Sequence, residues 1–258
     1  MPRPRPSARR RCAAGAAMGA ALLGAIGCAS AIPSTEESPA PPAAAESAHC
    51  GNLVFPATAL ENRTRVDRLD ERDAAVAATA VDDLGEPLAL DAAAGWFLVV
   101  SDDDTLAFLR PADPAFEAPY ELVALHRDLS GRGGADAVWR LSGRGACTPR
   151  ADIGDRNDAD VSLDPARPPS SDATTVHLLV TENACHGGED AEGRVEVVEL
   201  VETAETIALT IGVRPDTSHD AWTCPGHPAT PFAVELSAPI GDRTLVDAGL
   251  VPARPLHD

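Results

Sequence analysis

Two short segments concentrate the residue types that could do chemistry. In the first, Cys185-His186 is followed by Glu189 and Asp190, with His219, Cys224 and His227 downstream. Two cysteines and three histidines are zinc-ligand types. The C-x-x-C spacing of a zinc site is missing, so a Cys185–Cys224 disulfide is the first expectation. A metal site at His186 and His227, drawn together by that bridge, is the second. The other segment is "DIGDRNDAD", with Asp152, Asp155, Asn157, Asp158 and Asp160. Clustered carboxyl and amide oxygens on a loop are Ca²⁺ ligands by type. The EF-hand pattern fails because Ala159 stands where Asp or Asn is needed, so a solvated acidic loop is the plainer reading. "SDDDT" (Ser101–Thr105) reads as a turn first and a cation site second.

Nucleophile motifs are missing from the sequence. It has no G-x-S-x-G and no H-E-x-x-H, and "GRGG" (Gly131–Gly134) lacks the Lys-Ser/Thr of a phosphate loop. Trp96, Trp139 and Trp222 lie in or beside strand-like segments, which assigns them to core packing rather than a sugar platform.

A third chemical feature is Cys28. Residues 1–11 carry five arginines and no acid, and an apolar stretch runs from Cys12 to Gly27. This is the charged and apolar layout of a secretion signal, too short and too rich in Ala and Gly for a membrane span. "Ala25-Ile26-Gly27-Cys28" resembles the lipobox of bacterial lipoproteins. The resemblance implies that Cys28 becomes a lipidated mature N-terminus, anchored by at least two acyl chains. The rival is cleavage at "Ala29-Ser30-Ala31", which would release a secreted protein. Residues 29–49, dominated by Ala, Pro, Ser and Glu, cannot bury a core. They read as a tether with an extended reach of about 65 Å.

Composition narrows the partners. The 258 residues carry a formal net charge of −19, and all 21 basic residues other than histidine are arginine. Loss of residues 1–27 removes five positive charges and no negative ones, which takes the charge to −24. Such a chain lacks the basic footprint that nucleic acid needs. Its partners are expected to be the membrane, through the N-terminal lipid, and a protein or cationic ligand at the cell surface. Apolar residues reach 44% but aromatics only 3%, so the core must come from Val, Leu, Ile and Ala.

Cys12 leaves with the signal. Cys50, Cys147, Cys185 and Cys224 remain, an even number in an exported chain, hence two disulfides with three possible connectivities. Cys50–Cys147 would fasten the tether exit to the first half, and Cys185–Cys224 would staple a run of strands; this is the pairing expected.

The elements follow from periodicity. Residues 67–84 carry helical marks: Asp67 as cap, Asp70 and Glu71 in the first turn, an apolar stripe, and Gly85 as stop. Strand signals occupy Gly95–Ser101, Thr105–Arg110, Tyr120–His126 and Ala137–Ser142. After a break rich in Asp, Pro and Ser they resume at Thr175–Glu182, Arg194–Glu202, Thr206–Val213 and Pro231–Ser237. The expected fold is mainly β (α+β), an antiparallel sheet or sandwich with one helix near the start and two disulfides. The expected layout is a signal over 1–27, a lipidated tether over 28–49, an α+β half over 50–150, an acidic linker or loop over 151–173, and an antiparallel β module over 174–258. The last third, from "TENACHGGEDAEGRV" through "WTCPGHPATPFAVELSAPIGDRTLVDAG", resembles uncharacterised secreted proteins of high-GC Gram-positive bacteria. That resemblance implies one module holding both later cysteines and no activity.

The functional expectation is a non-enzymatic binding or accessory lipoprotein at the extracytoplasmic face of a bacterial membrane. The alternatives are an extracellular enzyme with a metal-assisted site near His186 and His227, or a structural envelope component.

Overall fold

Strands with apolar residues at every other position need one covered face, while strands apolar throughout need two. Both kinds are present and they dictate the layering. The computed structural model describes residues 45–82, 84–88, 90–114, 118–128, 138–218 and 221–257. The expected signal, Cys28 and most of the tether lie outside them.

The first half contains β1 (Ser47–Cys50), β2 (Leu53–Pro56), α1 (Ala59–Asn62), β3 (Thr64–Arg65), a 3₁₀ turn at Val66–Arg68 and α2 (Glu71–Thr79). Then come β4 (Phe97–Ser101), β5 (Thr105–Pro111), β6 (Tyr120–Asp128) and β7 (Val138–Cys147). β8 (Arg150–Ala151) and β9 (Ala159–Leu163) precede β10 (Thr175–Glu182), β11 (Val195–Glu202) and β12 (Thr206–Val213). β13 (Thr230–Glu235), β14 (Thr244–Asp247) and β15 (Arg254–Pro255) complete the chain.

Four sheets result, ordered β2-β1-β8, β3-β4-β5-β6-β7, β13-β10-β9 and β11-β12-β14-β15. Pairing between strands is antiparallel except for β12 with β14. The mainly β, α+β class is as expected, and so are both disulfides, Cys50–Cys147 and Cys185–Cys224. Disulfides form and persist in oxidising compartments, which places the body outside the cytosol. Among the described residues no helix is long and apolar enough to cross a membrane.

β5 is buried on both faces. Leu106 and Phe108 pack with Val123, Leu125, Trp96 and Val76 of α2. Ala107 and Leu109 pack on the opposite side with Phe55, Leu60 and Phe97. Each fully buried Leu or Phe contributes about 1.5–3 kcal/mol. β12 repeats this scheme in the second half. Ile207, Leu209, Ile211 and Val213 share one core with Val176, Leu178 and Val180 of β10 and Val234 of β13, a two-sheet sandwich. Its other face carries Ala208, Thr210 and Gly212, also buried. A Cβ on Gly212 would stand 3.0 Å from both Arg156 and Val198, so the back of the strand admits only small residues.

Several boundaries differ from the sequence reading. The helix is shorter than 67–84. Asp70, not Asp67, caps it by accepting from the Asp73 N–H at 2.8 Å. Ala80 turns extended, and Val81 leaves to bridge Arg140 and Pro87. The Asp82 carboxylate accepts from the Leu84 and Glu86 N–H groups, a turn that competes with another helical turn. β7 runs five residues past Ser142, through Gly143 and Gly145, because full pairing with β6 outweighs the low strand propensity of glycine. The tether ends earlier than residue 49, since Ser47 already begins β1 and Ala48 is fully buried. Residues 151–173 do not separate two halves: β8 pairs with β1, β9 with β10, and Arg150 bridges Leu250.

Candidate ligand cavity

Helix α1 is one turn long and starts without a side-chain cap. It ends on Arg63, a non-glycine residue with φ 44° and ψ 57°, in the left-handed region. That conformation is uncommon for a residue with a Cβ. It lets the Arg63 N–H donate to the Ala59 carbonyl at 3.0 Å and close the turn. It also folds the side chain back, so that Nε donates to the Leu60 carbonyl at 3.0 Å and Nη2 to the Tyr120 hydroxyl at 3.3 Å. The guanidinium lies 5.6 Å from the centre of the Phe97 ring, a cation–π contact. Phe97 in turn meets Tyr120 edge to face at 6.0 Å.

The opposite wall is the loop after β14. Ala248 N–H donates to the Leu209 carbonyl at 2.8 Å, Ala151 N–H to Gly249 at 2.9 Å, and Val251 N–H to Pro149 at 2.9 Å. The loop is thereby tied to β8, β12 and the segment after Cys147. Between loop and helix lies a cavity of about 370 Å³. Its lining is chiefly Leu60, Leu250, Val251, Pro252 and alanines, with Arg63 and Tyr120 as the polar corner and Glu61 at the exposed rim.

In a chain with 40 acids the surroundings of Arg63 are unusual. Eleven of the described arginines are held by carboxylates, among them Arg110 and Arg144 by Glu121, Arg194 by Glu182 at 2.5 Å and Arg243 by Glu202 at 2.8 Å. Arg63, like Arg68, Arg127 and Arg254, is not, and of these four only Arg63 lines this cavity. Among the described residues no carboxylate lies within 4.0 Å of the Arg63 guanidinium. Three of its five N–H donors remain after the bonds to Leu60 and Tyr120.

Behind the loop wall, Asp247 is buried, its Oδ1 accepting from the Gly249 N–H at 2.9 Å. Burial pushes its carboxyl up to about 6, only partly opposed by that bond and by Arg150.

The loop acids singled out above do not converge on a cation. Asp152 caps the Gly154 N–H at 2.9 Å, and Asp155 pairs with Arg156, which also holds Glu196. Asn157 donates to Glu182 at 2.7 Å, Asp158 meets His49 at 3.4 Å, and Asp160 pairs with Arg150. The side-chain hydrogen bond to Asp158 raises the His49 pKa above its ordinary value, against the lowering effect of burial. Among the described residues no group of three or more His, Cys, Asp or Glu is arranged to hold a metal ion.

The second cysteine corner is also filled by its own contacts. His186 is 5% exposed, its ring 4.4 Å from that of Trp222, its Nε2 3.8 Å from Glu189 and 3.9 Å from Asp216. His227 uses Nδ1 on the Glu189 carbonyl at 3.1 Å. Both histidines meet Glu189, His186 against its side chain and His227 against its backbone. His219 lies outside the described residues. Gly188, at φ 82°, is required here, since a Cβ would fall 2.8 Å from Pro225. Of the tryptophans, Trp96 is core, Trp139 is half-buried against that core, and Trp222 lies outside any strand, covering His186.

Sequence reasoning passed over Arg63 and Tyr120. They are 57 residues apart and share no motif. The one available signal was that Tyr120 is the only tyrosine of the chain.

No family model matches the chain, and no curated protein and no solved structure matches it either.

Proposed function

We propose that this protein is a lipid-anchored, non-enzymatic binding module displayed at the extracytoplasmic face of a bacterial membrane. The observation that carries the binding role is the largely aliphatic cavity with one guanidinium, oriented by Leu60 and Tyr120 and without an acidic partner among the described residues. Concave, mostly apolar sites with few fixed polar groups are the usual form of a small-molecule site. The lipobox-like Ala25-Ile26-Gly27-Cys28, the basic segment before it and the Pro- and Glu-rich stretch after it support the anchor. At a charge of −24 the body is repelled by anionic lipid, and a tether over residues 29–46, with an extended reach of about 56 Å, gives it room to stand off.

Two measurements test the reading. Mass spectrometry of the native N-terminal peptide is expected to show acyl chains on Cys28, and Cys28→Ser to move the protein from the membrane fraction to the medium. An unacylated N-terminus beyond Ala31 would make it a secreted protein, and retention of Met1 would overturn export. Native mass spectrometry of protein taken from envelopes is expected to show a small-molecule adduct that Arg63→Gly removes. A bare polypeptide mass at every ligand concentration would rule out the binding role.

A further inference from the structure

We propose that the Arg63 cavity takes an aliphatic monocarboxylate, with its carboxylate on the Arg63 guanidinium and the Tyr120 hydroxyl and its alkyl chain along Leu60, Leu250, Val251 and Pro252. The proposal rests on the binding role above and names the ligand class. Charge sets the head group. The cavity offers one positive charge and two neutral hydroxyls, those of Tyr120 and Thr58, and Glu61 stands at its rim. That balance suits a single negative charge and disfavours a dianion. A guanidinium presents paired N–H donors in the plane that a carboxylate matches. The donors left over after Leu60 and Tyr120 supply such a pair.

The lining sets the tail. Apart from Thr58, Glu61, Arg63 and Tyr120, whose ring meets Phe97 edge to face, the wall among the described residues consists of aliphatic side chains and alanines. An alkyl chain gains from such a wall through area removed from water, about 25 cal/mol per Å².

The backbone is the independent sign. Arg63 keeps a long side chain at a left-handed position where glycine would sit without strain. Strained backbone held in place by its surroundings concentrates at ligand sites. Here the conformation aims the guanidinium into the cavity.

The test is calorimetric titration of exported full-length protein carrying Cys28→Ser, which removes acyl chains that would compete for the probe. Octanoate is expected to bind, and octanol at least about tenfold more weakly, the scale of a lost charge-assisted hydrogen-bond pair. Arg63→Gly relieves the left-handed strain while deleting the guanidinium, so it is expected to melt within about 3 °C of the parent and lose at least about tenfold in octanoate affinity. Tyr120→Phe is expected to weaken octanoate about threefold, and Glu61→Gln to tighten it about twofold. Equal binding of octanol, tighter binding of octyl phosphate or octylammonium, or parental affinity in a folded Arg63→Gly protein would each overturn the proposal. So would an absence of octanoate binding, an outcome that leaves an adduct seen in native mass spectrometry, and the acylation of Cys28, untouched.

Discussion

The His186 corner and the Arg63 cavity are built on opposite plans. At His186 the chain gathers every residue type a chemist would notice: a cysteine, a histidine and two acids over 185–190, joined by a second cysteine and His227 from 224–227. The structure spends them on one another, as a disulfide, a ring contact with Trp222 and bonds to Glu189. Around Arg63 the sequence is unremarkable, "LENRTR", yet the fold orients a cation at a cavity wall with no acid within 4.0 Å among the described residues. The lesson is that residue density signals internal satisfaction as readily as a site. In a chain this acidic, the informative feature is a base that lines a cavity with no acid beside it among the described residues. Net charge taken alone predicted a cationic ligand, but charge interactions weaken beyond about 8 Å at physiological salt, so a local guanidinium can set the preference of its own cavity.

Five measurements would break or sharpen this contrast. The largest effect is expected from the bridges. Cys50 and Cys147 are 97 residues apart and Cys185 and Cys224 are 39 apart. The chain-entropy model gives about 4.7 and about 3.9 kcal/mol for their paired replacement by serine, read from urea midpoints. If the two regions are independent, loss of Cys185–Cys224 leaves octanoate affinity in the folded fraction unchanged, and a drop there would couple them.

Next is the buried ion pair that bounds the His186 corner. Glu182 holds Arg194 at 2.5 Å and accepts from Asn157 at 2.7 Å. Glu182→Ala leaves a mostly buried guanidinium unpaired and is expected to cost about 3–5 kcal/mol in chemical unfolding. A cost below 1 kcal/mol would mean that Arg194 finds water or another acid, and that the corner is less self-contained than its contacts imply.

Behind the cavity, Asp247 has its carboxyl raised from 3.8 to about 6, chiefly by burial. Below pH 4 it is neutral in both states. As pH rises from 4 to 6 the unfolded chain ionises first, so folding loses up to about 3 kcal/mol, and the loss persists above pH 6. Asp247→Asn keeps the acceptor for Gly249. It is expected to be more stable than the parent by about 2–3 kcal/mol at pH 7.5 and equal to it at pH 3.5.

His49 acts in the same direction. Its raised pKa gives stability that is complete below 6.5 and is lost as pH rises through the folded value. Glu182 is opposite: burial raises its pKa, but hydrogen bonds from Arg194 and Asn157 outweigh that and lower it below 4.5. Its stabilisation is therefore present above 4.5 and lost as pH falls through the folded value. The melting temperature should peak near pH 5. A monotonic rise to pH 8 would contradict the burial of Asp247.

The smallest effect is expected from calcium. Each acid of the 152–160 segment is already engaged by an arginine, a histidine or a backbone N–H. About 10 mM Ca²⁺, about tenfold above the dissociation constants of the weakest extracellular sites, should move the melting temperature by less than about 1 °C. A rise of several degrees would return that loop to the list of ligand sites.

Alternation of apolar residues, even cysteine count and turn chemistry are local properties. They were enough for the β-rich class, the hairpin at Asp102 and the number of disulfides, while the choice among three connectivities is made only where the fold brings the cysteines together. The segments they misjudged are those where pairing overrode propensity. β7 continues through two glycines because β6 supplies a complete ladder. β8 and β9 form inside a stretch dense in Asp and Pro because β1 and β10 present unpaired edges. The cavity was beyond local reading altogether. It depends on Arg63, Tyr120 and the loop at Leu250 meeting across 57 and 130 positions of chain. Whether a charge is answered or left open is settled only when distant segments pack, since each side chain's partners are chosen by the fold and not by its neighbours in sequence.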